Sequence, residues 1–253
     1  MGSGIGSLAW NQANLQTLRS FDKAAIVKFI DESSGMEGRL GALTPQEVGE
    51  FEWVDLAGDG KYELALTASS GPCCMALGIY TQTRAGKLSV QSFLGAGQLS
   101  KTIRDLNGDG KMELILWPEI AQPGTWAPSI ADPRWPAVYR LEKGKYIEAS
   151  RDFPNFYDTE ILPKLKADIS NARNNDVRAI LTLERDKILR VLGRDPMAGL
   201  NRAYQWMNSD DSQLLQCAVA TFRDIGGHDR EMREAQQKIG PAFRHEIAAR
   251  KGG

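Results

Sequence analysis

Asp105, Asn107, Asp109 and Glu113 place oxygen-bearing side chains at positions one, three, five and nine of the segment Asp-Leu-Asn-Gly-Asp-Gly-Lys-Met-Glu. Three carboxylates and an amide oxygen at that spacing suit a hard cation. Calcium takes roughly six to eight oxygen ligands in a flexible geometry. A tight loop can turn positions one, three and five inward and add the backbone carbonyl of Lys111 at position seven. Gly110 at position six permits the sharp turn, and Glu113 can close the shell as the chain leaves the loop. An EF-hand begins in the same way but needs a bidentate Glu at position twelve, where this chain has Leu116. The exit Leu-Ile-Leu-Trp also reads as a strand, not as an amphipathic helix, which argues against a dockerin-type pair.

A second copy lies upstream. Residues 55–66 read DLAGDGKYELAL and residues 105–116 read DLNGDGKMELIL, with nine of twelve positions identical at an offset of 50. A period of that size points to a repeated supersecondary unit. In the upstream copy Asp55, Asp59, the Lys61 carbonyl and Glu63 occupy the ligand positions, but Ala57 replaces the amide at position three. The charge is conserved and one ligand is missing. The upstream loop is therefore expected to bind more weakly, or to stand empty and hold its shape through Asp side chain to backbone hydrogen bonds. Asp-Gly pairs also make plain turns before strands, and that bland reading stays open for both copies.

Each loop is followed by an apolar strand and then by two alternating runs, around Ala85-Gly86-Lys87 in the first unit and Lys143-Gly144-Lys145 in the second. Alternation across a Gly-containing turn reads as a β-hairpin. Pro45 to Phe51 reads as a connector into the first repeat. From about Asp158 the apolar period changes to three and four, with helices expected over Glu160 to Ile169, Asp176 to Leu192, Met197 to Met207, Leu214 to Ile225 and His228 to Lys251. The expected fold class is α+β: an unassigned segment over 1–45, an antiparallel β region built from the two units over 46–155, and an α-helical region over 156–253.

D-L-N-G-D-G-K-x-E-L followed by apolar residues resembles the FG-GAP or VCBS repeat of integrin-type β-propellers, over about residues 50–153. In that family each repeat is a four-stranded blade with a calcium loop between its first strands. The resemblance implies Asp105, Asn107, Asp109, Lys111 (through its carbonyl) and Glu113 as the stronger ligand set. It implies Asp55, Asp59, Lys61 (carbonyl) and Glu63 as the weaker one. A closed propeller needs about four blades or more, so two units imply an incomplete propeller or a sandwich-like relative.

The rest of the chain narrows the function classes. Its 253 residues carry 42% hydrophobic and 25% charged side chains with a formal net charge of −1, so no global field draws it to nucleic acid or anionic lipid. The basic residues near the end, from Arg230 to Lys251, alternate with acids as on a solvated helix face. No apolar run approaches the roughly 18 residues needed to span a bilayer. Met1-Gly2-Ser3-Gly4 reads as an added leader, so a native signal peptide is expected to have been trimmed. Cys73, Cys74 and Cys217 form neither a disulfide framework nor a zinc site. No GxSxG, P-loop or GxGxxG followed by a helix is present. Trp117, Trp126 and Trp135, set among five prolines between 117 and 136, form a candidate surface for a protein or glycan partner. The alternative is that this loop packs its own aromatics.

Together these point to a calcium-stabilised, non-enzymatic binding module, periplasmic or secreted, because extracellular calcium fills loops of modest affinity. The rivals are an enzyme, for instance carbohydrate-active, with a site between the β and α regions, and a structural domain with metal-free acidic turns.

Overall fold

The computed structural model describes residues 8–34, 44–69, 75–82, 88–120 and 133–251. The chain divides into two compact units, one of residues 1–118 with 136–149 and the other of 119–135 with 150–253. The fold is α+β, with two antiparallel four-stranded sheets in the first unit and helices in the C-terminal region.

The first unit opens with two helices, α1 (Leu15–Arg19) and α2 (Lys23–Ser34). Sheet one follows in the order β1 (Val48–Val54), β2 (Glu63–Ser69), β3 (Met75–Gln82) and β4 (Leu88–Leu94). A single turn, α3 (Leu99–Thr102), leads to sheet two, in the order β5 (Ile103–Arg104), β6 (Glu113–Leu116), β7 (Ala137–Glu142) and β8 (Lys145–Glu148). Both sheets are simple meanders, each strand pairing with its sequence neighbour.

The apolar run of β2 is buried on both faces. Leu64, Leu66 and Ala68 join Val48, Trp53 and Tyr80 in a core with Trp10, Leu18, Ile26 and Ile30 from the N-terminal segment and helices. Trp10 meets Trp53 edge-on at 4.8 Å between ring centroids, a favoured arrangement for buried rings. On the opposite face Ala65, Leu77 and Ile79 pack with Leu99, Leu114 and Leu116, flanked by Phe93, Tyr139 and Tyr146. Side chains alternate along a strand, so one strand serves both layers. The order of layers is helices, sheet one, sheet two.

Pro45 to Phe51 is more than a connector: from Val48 the chain is the first strand of sheet one. Val48 and Trp53 are its buried residues, and a register shift between Val48 and Phe51 puts both on the core side. That irregularity hides the alternation from a period-two reading.

The second unit contains α4 (Pro154–Phe156), a π-helical turn over Tyr157–Ile161, α5 (Leu162–Asn171), α6 (Asn175–Val191), α7 (Leu200–Trp206), α8 (Ser212–Ile225) and α9 (Asp229–Lys251). Asp211 caps α8 by accepting from Gln213 and Leu214 amides at 2.8 and 3.0 Å, and Gly226 at φ 77° ends it. Its buried residues include Leu215, Cys217, Ala218, Val219 and Phe222. Burial pushes the Cys217 thiol up to about 12, which removes it from thiolate chemistry. Cys73 and Cys74 lie outside the described residues. Among the described residues no helix is long and apolar enough to cross a membrane.

Candidate metal centre

Each acidic loop bridges the first two strands of its sheet. Loop one runs from the end of β1 to the start of β2, and loop two from β5 to β6. The base of each is an antiparallel ladder rung at the same place: Val54 opposite Glu63, and Arg104 opposite Glu113. The rung brings position nine back beside position one, which is what a closed ligand loop requires.

Inside the loops most of the hydrogen bonds recur. Glu63 Oε2 accepts from the Leu56 amide at 3.1 Å, and Glu113 Oε2 accepts from the Leu106 amide at 2.8 Å. Asp55 accepts from the Asp59 and Gly60 amides at 3.0 and 2.8 Å. Asp105 accepts from the Gly108 and Gly110 amides at 2.7 and 3.0 Å. Asp59 and Asp109 each accept from the lysine amide two residues on, at 3.0 and 2.9 Å. Left-handed glycines make the turns, Gly58 and Gly60 in loop one and Gly108 and Gly110 in loop two, a conformation other residues adopt only with strain.

The loops then diverge. In loop one the Lys61 ammonium lies 2.6 Å from Asp59 Oδ2. That hydrogen bond holds the Asp59 carboxyl below its ordinary range. In loop two Asn107 supplies position three. Its Oδ1 accepts from the Asp109 amide at 3.0 Å, and its Nδ2 donates to Asp109 Oδ2 at 3.3 Å. Lys111 forms no ion pair among the described residues. The backbone amides, that of Gly110 foremost, hold Asp105 below the usual carboxylate range.

The glutamates carry the opposite shift. Glu113 is fully buried, at 0% exposure, and its Oε1 has no hydrogen-bond partner among the described residues. Burial foremost, with the negative charge of Asp109 and Asp105, raises its pKa. Half-buried Glu63 is pushed up to about 7 by burial and by the Asp59 and Asp55 carboxylates. A buried carboxylate oxygen with no partner is costly, and a cation held between it and the two loop aspartates would remove that cost. The donors of loop two are all hard oxygens, as calcium would require, and five residues supply them against the roughly six to eight ligands that calcium takes. Among the described residues no three His, Cys, Asp or Glu side chains converge as a metal-holding group: Asp105 and Asp109 are turned to loop amides.

Residue types and spacing had not singled out Tyr146. Its ring packs in the core between the sheets, and its hydroxyl donates to the Met112 carbonyl at 3.3 Å. Burial and the Glu63 and Glu113 carboxylates together raise its pKa. One phenol thus feels the charge of the position-nine acid of both loops. A signal existed: Gly144-Lys145-Tyr146 aligns with Gly86-Lys87-Leu88, and a tyrosine at an otherwise apolar hairpin position marks a place where a hydroxyl has work.

Two of the three tryptophans, Trp117 and Trp135, lie among the described residues. Trp117 belongs to the first unit, half-buried, its amide donating to the Gly95 carbonyl at 2.8 Å. A methyl group on Gly95 would lie 2.5 Å from the Trp117 carbonyl oxygen, so only glycine fits there. Trp135 belongs to the second unit and is 7% exposed, with the Lys187 ammonium 5.2 Å from its ring centroid. Trp126 lies outside the described residues. Compared with family models, with curated proteins and with solved structures, the chain matches none.

Proposed function

We propose that this chain is a calcium-stabilised, non-enzymatic binding module of exported type, and that loop two is its principal metal site. Asp105, Asn107, Asp109, the Lys111 carbonyl and Glu113 would hold the ion, with Asp55, Asp59, the Lys61 carbonyl and Glu63 as a weaker set. The observation that carries the reading is the Glu113 Oε1, on a fully buried residue and without a hydrogen-bond partner among the described residues. Four-stranded meanders with the acidic loop between first and second strands support the resemblance to FG-GAP or VCBS blades. Bound calcium would neutralise three mutually repelling carboxylates. The protein's own part is to present the oxygens from a loop whose base is clamped by a strand rung and whose turns are set by glycine.

A second reading has its own support. Both carboxylate oxygens of Asp55 and of Asp105 already accept backbone amides, as metal-free structural turns would require. A thermal melt in calcium against chelator separates the two. Calcium at a hundredfold excess over its dissociation constant adds about 2.7 kcal/mol, which raises the Tm of a chain this size by roughly 5–10 °C. An unchanged Tm, with no ion in crystals grown in calcium, would leave the turns as structure alone.

A further inference from the structure

We propose that the two loops take up divalent cations as one coupled pair, joined through backbone and not through side chains. The proposal rests on the calcium reading above and adds the communication between sites.

The joint is explicit. The amide of Met112, position eight of loop two, donates to the carbonyl of Leu56, position two of loop one, at 3.0 Å. Met112 stands between the Lys111 carbonyl and Glu113, and Leu56 stands next to Asp55, so the bond ties ligand-bearing residues on both sides. Beside it Gly58 lies against loop two so closely that a methyl group there would sit 2.6 Å from the Gly110 carbonyl oxygen.

The same joint recurs one step upstream. The amide of Tyr62, position eight of loop one, donates to the Trp10 carbonyl at 2.8 Å, and Asn11 and Lys61 form an isolated β-bridge. Trp10 is 3% exposed and fixed against Trp53 and Phe29. Loop one is therefore held between a core anchor and loop two. A cation that draws loop two inward must move Met112 or pull on Leu56. Leu56 has little freedom to yield, being 1% exposed in the core between the sheets. Closing one loop thus pre-forms the other, and the coupling is reciprocal.

Calorimetric titration of the full chain with calcium chloride tests this. The wild type should take up two ions in sequence. Asp109→Ala leaves loop one alone, and its dissociation constant should be about 5- to 50-fold weaker than that of the second wild-type step, within the usual range of coupling factors. Repeating the pair of titrations in a Gly58→Ala background should bring that ratio to within about twofold of one. In a Gly60→Ala background the ratio should persist, because Gly60 has the same left-handed φ of 78° but nothing near its position for a methyl group to meet. Two sites with a wild-type ratio of one overturn the coupling and leave the calcium reading standing, whether or not the glycine variants fold. A ratio that survives Gly58→Ala overturns the assigned joint. No uptake by the wild type overturns both readings.

Discussion

Loop one and loop two share a sequence frame, a strand rung and most of their hydrogen bonds, yet they handle the same negative charge differently. Loop one brings its own cation, the Lys61 ammonium on Asp59, and lacks an oxygen at position three. Loop two spends an amide side chain on position three, leaves Lys111 off its carboxylates and buries a glutamate oxygen without a partner. The contrast teaches that ligand count alone is a poor guide to a metal site. What distinguishes the loops is how much of the electrostatic demand the chain already meets internally. Loop one meets more of it, which on the calcium reading leaves less for an external ion to supply.

The sharpest way to break this comparison is to remove the same residue from each loop. Asp109→Ala should abolish nearly all of the calcium-dependent rise in Tm, whereas Asp59→Ala should retain most of it. Equal losses would mean that the loops are equivalent and that the unpartnered Glu113 oxygen does not set the ranking. Melting curves in calcium and in chelator read both results.

The next largest effect concerns position three. Ala57→Asn gives loop one the oxygen it lacks and should tighten its calcium dissociation constant by on the order of tenfold, equivalent to about 1.4 kcal/mol. Asn107→Ala should weaken loop two by a similar factor. Titration calorimetry measures both, and an unchanged loop one would show that Lys61, not the missing ligand, limits it.

Much of this architecture was readable in advance, for identifiable reasons. The repeat exposed both loops, both strands that follow them and the β7–β8 hairpin, because turn chemistry and period-two patterns are local. The turn expected around Ala85-Gly86-Lys87 lies outside the described residues, but β3 and β4 pair antiparallel on either side of it. The capped helices α6 and α8 were equally plain from their apolar spacing. What could not be read was non-local. β5 is only Ile103–Arg104, too short for any periodic signal, and β1 is masked by its register shift. The loop-to-loop joint is made of backbone amides and carbonyls, which every residue carries, so no residue type announces it. Gly58 was visible as a turn glycine, while its approach to Gly110 depends on how one sheet packs on the other. The burial of Glu113 was hidden for the same reason, since position nine looks identical in the two copies.

A titration sharpens the glutamate contrast. Glu63 is raised from 4.5 to about 7 in the folded chain, so the fold favours its protonated form. In chelator its contribution to stability is full below its ordinary value, declines as pH rises, and is lost through about pH 7. Glu113 is shifted in the same direction. The wild-type Tm should therefore fall between about pH 4.5 and 7 and level off above. Glu184 in the second unit, also pushed up to about 7 by burial, adds a slope of the same sign, so the readout is the difference between wild type and Glu63→Gln. That variant should remove part of the fall. Calcium needs the ionised carboxylates, so the Tm gain from calcium should grow over the same interval. An identical pH slope in Glu63→Gln would mean that Glu63 is ionised throughout.

The smallest effect is the most direct test of internal compensation. Lys61 and Asp59 form an exposed pair, their side chains 72% and 45% accessible. Exposed pairs contribute about 0–1 kcal/mol, so Lys61→Ala in chelator should lower stability by no more than about 0.5 kcal/mol. The same substitution leaves the position-seven carbonyl in place and releases Asp59 to a cation. In calcium it should strengthen loop one by about two- to fivefold, the factor that a few tenths to one kcal/mol represents. A variant that is slightly less stable without calcium and binds it more tightly is what competition between an internal and an external cation produces. Lys111→Ala, with no ion pair to lose among the described residues, should change loop two in neither respect. If both lysine variants behave alike, Lys61 is only a surface pair, and the weakness of loop one falls back on Ala57 alone.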